Sequence, residues 1–227
     1  MTDDHRYGGR RQDPRRVSRA AKTLVSALAV GAVFGAATSL ANGLSLGFAD
    51  LESSEYTTSG WSVAEILSVL LDSGWAWAGL AVAVGWLVTR AEENRRSAPA
   101  GAAAGAVALL AATAAYSVAD SIRGGGQVPW YDSEPRIWWV ASVLLGAPLG
   151  ALGAYAGRPG AIGLLARLTV PVGAAVQMIV LPPGRNEVVQ RIGTALVLTT
   201  AAACVAFLVV CFLVERRRRS RDAVRSP

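Results

Sequence analysis

The sequence predicts an all-α fold, a polytopic transmembrane helix bundle of about six spans with both termini cytoplasmic. The first observation behind this is six long, nearly uncharged stretches at 24–42, 66–88, 98–119, 137–156, 161–181 and 192–214. Roughly 20 apolar residues cross a hydrocarbon core as one helix, and a helix satisfies its own backbone there. The second is the sorting of basic residues. Arg6, Arg10, Arg11, Arg15, Arg16, Arg19 and Lys22 precede the first stretch, Arg90, Arg95 and Arg96 follow the second, Arg158 follows the fourth, and a run from Arg216 to Arg225 follows the sixth. The alternate connections carry Arg123, Arg136, Arg185 and Arg191 against Asp50, Glu52, Glu55, Asp120, Asp132, Glu134 and Glu187. Arginine and lysine accumulate in cytoplasmic connections, which places both termini inside. The third is tryptophan placement. Trp61, Trp75, Trp77, Trp130, Trp138 and Trp139 fall near the acidic boundary and Trp86 near the basic one. An interfacial aromatic belt accounts for that, whereas spacing alone gives no support to a stacked ligand platform.

Residues 1–22 are polar, glycine-containing and charged, and are expected to be a disordered basic cytoplasmic tail. Residues 23–214 form the transmembrane domain, and 215–227 a second disordered basic tail. Arg15 and Arg16 ahead of an apolar run faintly match a twin-arginine export signal, with Ser39, Leu40 and Ala41 as a weak cleavage site. The run is too long for an ordinary signal, so an uncleaved first span is expected.

Ahead of the second span, Ser62 and Glu65 have capping-box spacing, with Trp61 and Ile66 at the staple positions, so a helix should begin at about Val63. Val63, Ile66, Leu67 and Leu70 then repeat at helical spacing, interrupted by Glu65, Ser68 and Asp72. This segment either hands over near Ser73 and Gly74 to a shorter span or continues straight, and a bent continuation is the expectation. The alanine-rich third span is weakly hydrophobic and should be shielded by its neighbours.

Four glycine pairs, Gly31 with Gly35, Gly101 with Gly105, Gly146 with Gly150 and Gly153 with Gly157, have the spacing that lets helix backbones approach closely in lipid. They should pack within one bundle, and one such face would also serve a homo-oligomer or a membrane-protein partner. In the fifth span Arg167 lies within snorkelling reach of the inner interface. Pro171, four residues on, removes the amide that would bond the Arg167 carbonyl. The resulting kink either places a bare carbonyl beside a guanidinium, as an anion or substrate contact, or is an ordinary proline kink below a snorkelling arginine. Cys204 and Cys211 stand two turns apart on one helix, about 10.5 Å, too far to bridge, and read as small packing residues. The basic run at 215–221 is a topology anchor or an attractor of anionic lipid.

Polar residues inside a span are functional candidates because burying them is costly. Asp72 and Asp120 lie toward the outer ends of their spans, roughly half a bilayer from Arg167 by the helical rise. They could face one outer vestibule with Asn42, Tyr116 and Gln177, where carboxylates suit a cation or a proton. Hydrated helix-end charge is the plainer alternative.

Enzyme chemistry has little to build on. The single histidine is His5, in the amino-terminal tail, so no His-based general base, zinc site or serine triad can form in the membrane. The glycines at 124–126 and at 157, 160 and 163 lack the strand and acidic residue of a dinucleotide fingerprint. An Asp72 and Asp120 aspartyl pair is the sole catalytic option, and no cofactor or metal is expected. The net charge of +6 sits at membrane-flanking positions, which points to the lipid bilayer rather than to nucleic acid.

The segments GAVFGAATSLANG at 31–43 and GAPLGALGAYAGRP at 146–159, with the order of spans, resemble a family of small uncharacterised actinobacterial integral membrane proteins, a domain of unknown function. The single lysine among 22 basic residues agrees with a GC-rich bacterial source. The resemblance implies a multi-pass protein of the bacterial cytoplasmic membrane and implies no activity. The sequence therefore reads as a non-enzymatic membrane component or accessory subunit, with a small transporter or channel as the alternative. Three spans plus three would be inverted, and the central helix of each half carries an anomaly, Asp72 in one and Arg167 with Pro171 in the other, although no repeat is visible.

Overall fold

The structure, a computed structural model, describes residues 14–49, 63–90, 97–124, 133–182 and 187–225. Among them the chain forms α1 (Pro14–Ala49), α2 (Val63–Leu71), α3 (Gly74–Thr89), α4 (Ser97–Gly124), α5 (Ser133–Ala156), α6 (Ala161–Val180) and α7 (Glu187–Arg225). Helices α1, α4, α5, α6 and α7 are each long and apolar enough to cross a membrane, and α2 with α3, bent by 57° at a short break, make a sixth when counted as one. The protein is a membrane-embedded helical bundle. Helix α2 begins at Val63 and the handover falls at Ser73, where the sequence places them. Ser62, Trp61 and Trp130, and with them the capping box, lie outside the described residues.

Helix α4 is the centre, packed by α1, α3 and α5. Its weak hydrophobicity reflects alanines that let neighbours come close: Ala104, Ala108 and Ala112 are fully buried. Helix α1 runs parallel to α4, and a Cβ at Gly31 or Gly35 would overlap the carbonyl oxygen of Ala108 or Ala112. Helix α5 runs antiparallel to α4, and Gly101 and Gly105 meet Gly146 and Gly150. A Cβ at Gly105 would stand 2.7 Å from the Gly150 Cα, and one at Gly146 would stand 2.9 Å from the Ala106 Cα. On the other side of α5, Gly153 lies on the Val82 carbonyl of α3, while Gly85 of α3 lies on the Gly150 carbonyl. Gly157 differs, since a Cβ there would meet the Trp86 ring at an ordinary 3.9 Å. A buried hydroxyl contact of 2.9 Å between Thr113 and Ser142 adds polar adhesion across the α4–α5 seam.

A second cluster, built on Val69, Ala174, Met178, Val189 and Val197, joins α2, α6 and α7. Among the described residues helix α7 touches α6 and α2 alone, so most of its surface faces away from the other described helices. Cys204 and Cys211 are exposed on it, and the expectation that they pack inside is corrected, because α7 has neighbours on one side only. The tight α5–α6 turn requires glycine at Gly160, whose φ of 86° lies in the left-handed region.

Two further expectations change. Helix α1 starts at Pro14 and α7 runs to Arg225, so parts of both basic tails expected to be disordered are helical. Residues 215–225 contain no glycine or proline and are rich in arginine, a good helix former, and Glu215 pairs with Arg219 one turn on. Trp77 does not point outward as a belt residue would. It turns into the bundle, edge-on to Phe34 at 5.5 Å and to Tyr116 at 6.3 Å. Trp75 packs on the α2–α6–α7 cluster with its indole N–H buried and unpartnered. Depth alone cannot report which way a helix faces, and the first turn of α3 faces inward.

Candidate functional site

Thr38, Ser39, Asn42 and Ser45 fall at helical spacing on one face of α1, and all four are buried. A polar face inside a bundle needs partners. Thr38 returns its hydroxyl to the Phe34 carbonyl at 2.9 Å. Asn42 instead reaches two other helices. Its amide nitrogen donates to Asp72 Oδ2 at 2.8 Å and to the Tyr116 hydroxyl oxygen at 3.0 Å, and its amide oxygen accepts from the Ser68 hydroxyl. Both donor positions of one amide are thereby used. Asn42, only 8% exposed, thus ties α1 to the end of α2 and to α4.

Asp72 sits at the break itself, and the break has local causes. The Ser73 backbone is extended, with φ −81° and ψ 141°, and its hydroxyl turns back to the Val69 carbonyl. The Asp72 amide closes the last turn of α2 on the Ser68 carbonyl at 2.9 Å. With its hydroxyl turned backward, Ser73 gives α3 no side-chain cap. Gln177 of α6 supplies the cap from another helix, its Oε1 accepting the Trp75 amide at 2.8 Å. The Asp72 carboxylate lies just ahead of this amino-terminal end, where the helix dipole favours negative charge.

Asn42, Asp72 and Tyr116 meet by direct hydrogen bonds, whereas Asp120 and Gln177 find their direct partners elsewhere. Asp120 pairs with Arg123 at 2.7 Å, and Arg123 also donates to Ser39 Oγ at 2.9 Å. The guanidinium crosses the bare backbone of Gly43, where a Cβ would collide with it. The two aspartates therefore have different direct partners, Arg123 for Asp120 and Asn42 for Asp72. Gln177 is committed to the cap of α3. Arg167 is likewise accounted for: its Nε donates to the carbonyl of Ala156 at 2.7 Å. Ala156 ends α5, so its carbonyl lacks an intrahelical partner. The guanidinium caps that carbonyl rather than its own, and α6 continues through Pro171.

Two predictions follow from these caps. Gln177→Leu leaves the Trp75 amide unpaired inside the bundle and is expected to cost about 1–3 kcal/mol. Hydrogen exchange at Trp75 should accelerate locally, and unchanged protection would remove Gln177 from the cap. Arg167→Met is expected to lower stability by about 1 kcal/mol in a detergent unfolding titration. Arg167→Lys should recover part of that, and stability unchanged in both variants would contradict the capping role.

Ser39, Ser68, Ser73 and Arg123 belong to this constellation although the sequence reading did not select them. The signal was present in Glu65, Ser68 and Asp72, spaced three and four residues apart on one face of α2, and in the polar face of α1. Among the described residues no three His, Cys, Asp or Glu side chains converge as a metal site requires. Compared with protein-family models, with curated proteins and with solved structures, the chain matches none.

Proposed function

We propose that this protein is a non-enzymatic membrane component of the transporter or channel class that takes up and releases a proton at Asp72. The observation that carries the reading is the 2.8 Å hydrogen bond from buried Asn42 to Asp72 at the joint of a broken helix. Ionisable groups within spanning segments are costly, and discontinuous helices recur where transport proteins bind their ions. Asp72 is itself exposed beside the buried Asn42, and a carboxylate held by direct hydrogen bonds suits a proton better than a larger solute. Protonation turns one carboxylate oxygen from acceptor into donor. The Asn42 N–H then competes for a weaker acceptor, so the charge of Asp72 is coupled to the link between α1, α2 and α4.

Gly31, Gly35, Gly101, Gly105, Gly146, Gly150 and Gly153 face helices of the same chain, so a partner helix would have to find another surface.

The test is proton movement in proteoliposomes across an imposed pH gradient, followed with an entrapped pH dye. The native protein is expected to dissipate the gradient faster than empty vesicles, and Asp72→Asn to match empty vesicles. Equal rates for native protein and empty vesicles would overturn the transport reading.

A further inference from the structure

We propose that the end of α7 is a collar for the phosphate layer of an anionic phospholipid bilayer. The residues at 192–214 give an apolar length of about 35 Å at 1.5 Å per residue, already enough for a hydrocarbon core of about 30 Å. The helix does not stop there but continues to Arg225, so the residues after 214 emerge at headgroup level. Every residue from Glu215 to Arg221 is exposed. The pair of Arg219 with Glu215 neutralises two charges and leaves Arg216, Arg217, Arg218 and Arg221.

Their arrangement selects the partner. Consecutive helical residues are turned by about 100° from each other, so Arg216, Arg217, Arg218 and Arg221 spread over roughly 200° of the circumference, with the Arg219–Glu215 pair on the remaining side. A basic helix that lies along a membrane, or docks in an acidic groove of a protein, gathers its charge on one face. Four guanidinium groups outside that pair, within six residues and spread over more than half of the circumference at the end of a spanning length, instead fit a plane that the helix pierces. The phosphate layer is such a plane, and the planar guanidinium binds phosphate oxygens two at a time. Because among the described residues α7 packs only on α6 and α2, most of its circumference is left to lipid.

Native mass spectrometry of the full-length protein, released from nanodiscs of phosphatidylcholine with a minor share of phosphatidylglycerol, tests this. The native protein should retain phosphatidylglycerol over phosphatidylcholine by about tenfold relative to the bulk mixture. Substituting R216Q, R217Q, R218Q and R221Q together should abolish the preference. Since those changes could also misorient the chain, a second measurement uses the native protein alone, whose preference should fall steeply as salt is raised before release. No preference in the native protein, an undiminished preference in the variant, or retention of nucleic acid or an acidic protein in place of lipid would each overturn the collar.

Discussion

Gly150→Leu is expected to abolish the folded bundle. Gly150 lies where α5 meets two helices at once: a Cβ there would overlap the Gly101 carbonyl oxygen and come within 2.9 Å of the Gly105 Cα, while the Gly150 carbonyl itself lies against Gly85 of α3. Overpacking a core costs about 1–3 kcal/mol when side chains can yield. Here the obstacles are backbone, so the cost should reach or exceed the top of that range. In detergent, size-exclusion profiles and unfolding titrations should show loss of the compact species. Gly173→Leu is the control, because nothing lies within 4 Å of a Cβ at Gly173, and it should behave as the native protein. A stable Gly150→Leu would mean that the α3–α4–α5 seam is not where the structure places it.

Asn42→Leu is the second large effect. It removes the group that bonds Asp72, Tyr116 and Ser68 together and substitutes an apolar side chain of similar volume. Hydrogen bonds between helices in lipid average about 0.6 kcal/mol each, and stranding a buried polar group costs about 1–3 kcal/mol. A total near 2 kcal/mol is therefore expected. A double-mutant cycle with Tyr116→Phe should return a coupling energy of about 0.5 kcal/mol or more. Strict additivity of the two variants would show that the amide and the phenol act independently.

The spans were legible in the sequence because lipid demands charge-free length, and the break was legible because Ser73 and Gly74 interrupt an amphipathic turn. The glycine pairs announced close packing, but a glycine face does not say which helix will fill it, and Gly85 went unnoticed because no other glycine stands four residues from it. Asn42, Asp72 and Tyr116 were each visible as polar residues in apolar stretches. Their meeting was not, since it depends on how α1, α2 and α4 cross. Gln177 and Arg167 were visible for the same reason, yet each caps a neighbouring helix, a role that requires knowing where α3 begins and α5 ends. Trp77 misled because belt placement reads depth along a span and not the direction a side chain takes from it.

Proton binding at the break is tested most directly by pH-difference infrared spectroscopy of the reconstituted protein, with Asp72→Asn and Asn42→Leu beside the native chain. The native protein should show a protonated-carboxyl band that grows as pH falls. One component of that band should be lost in Asp72→Asn and should shift in frequency in Asn42→Leu, because the amide donates to that carboxyl, while the absorption of the other carboxyl groups remains. The same carboxyl bands in all three proteins would contradict a titrating Asp72 held by Asn42.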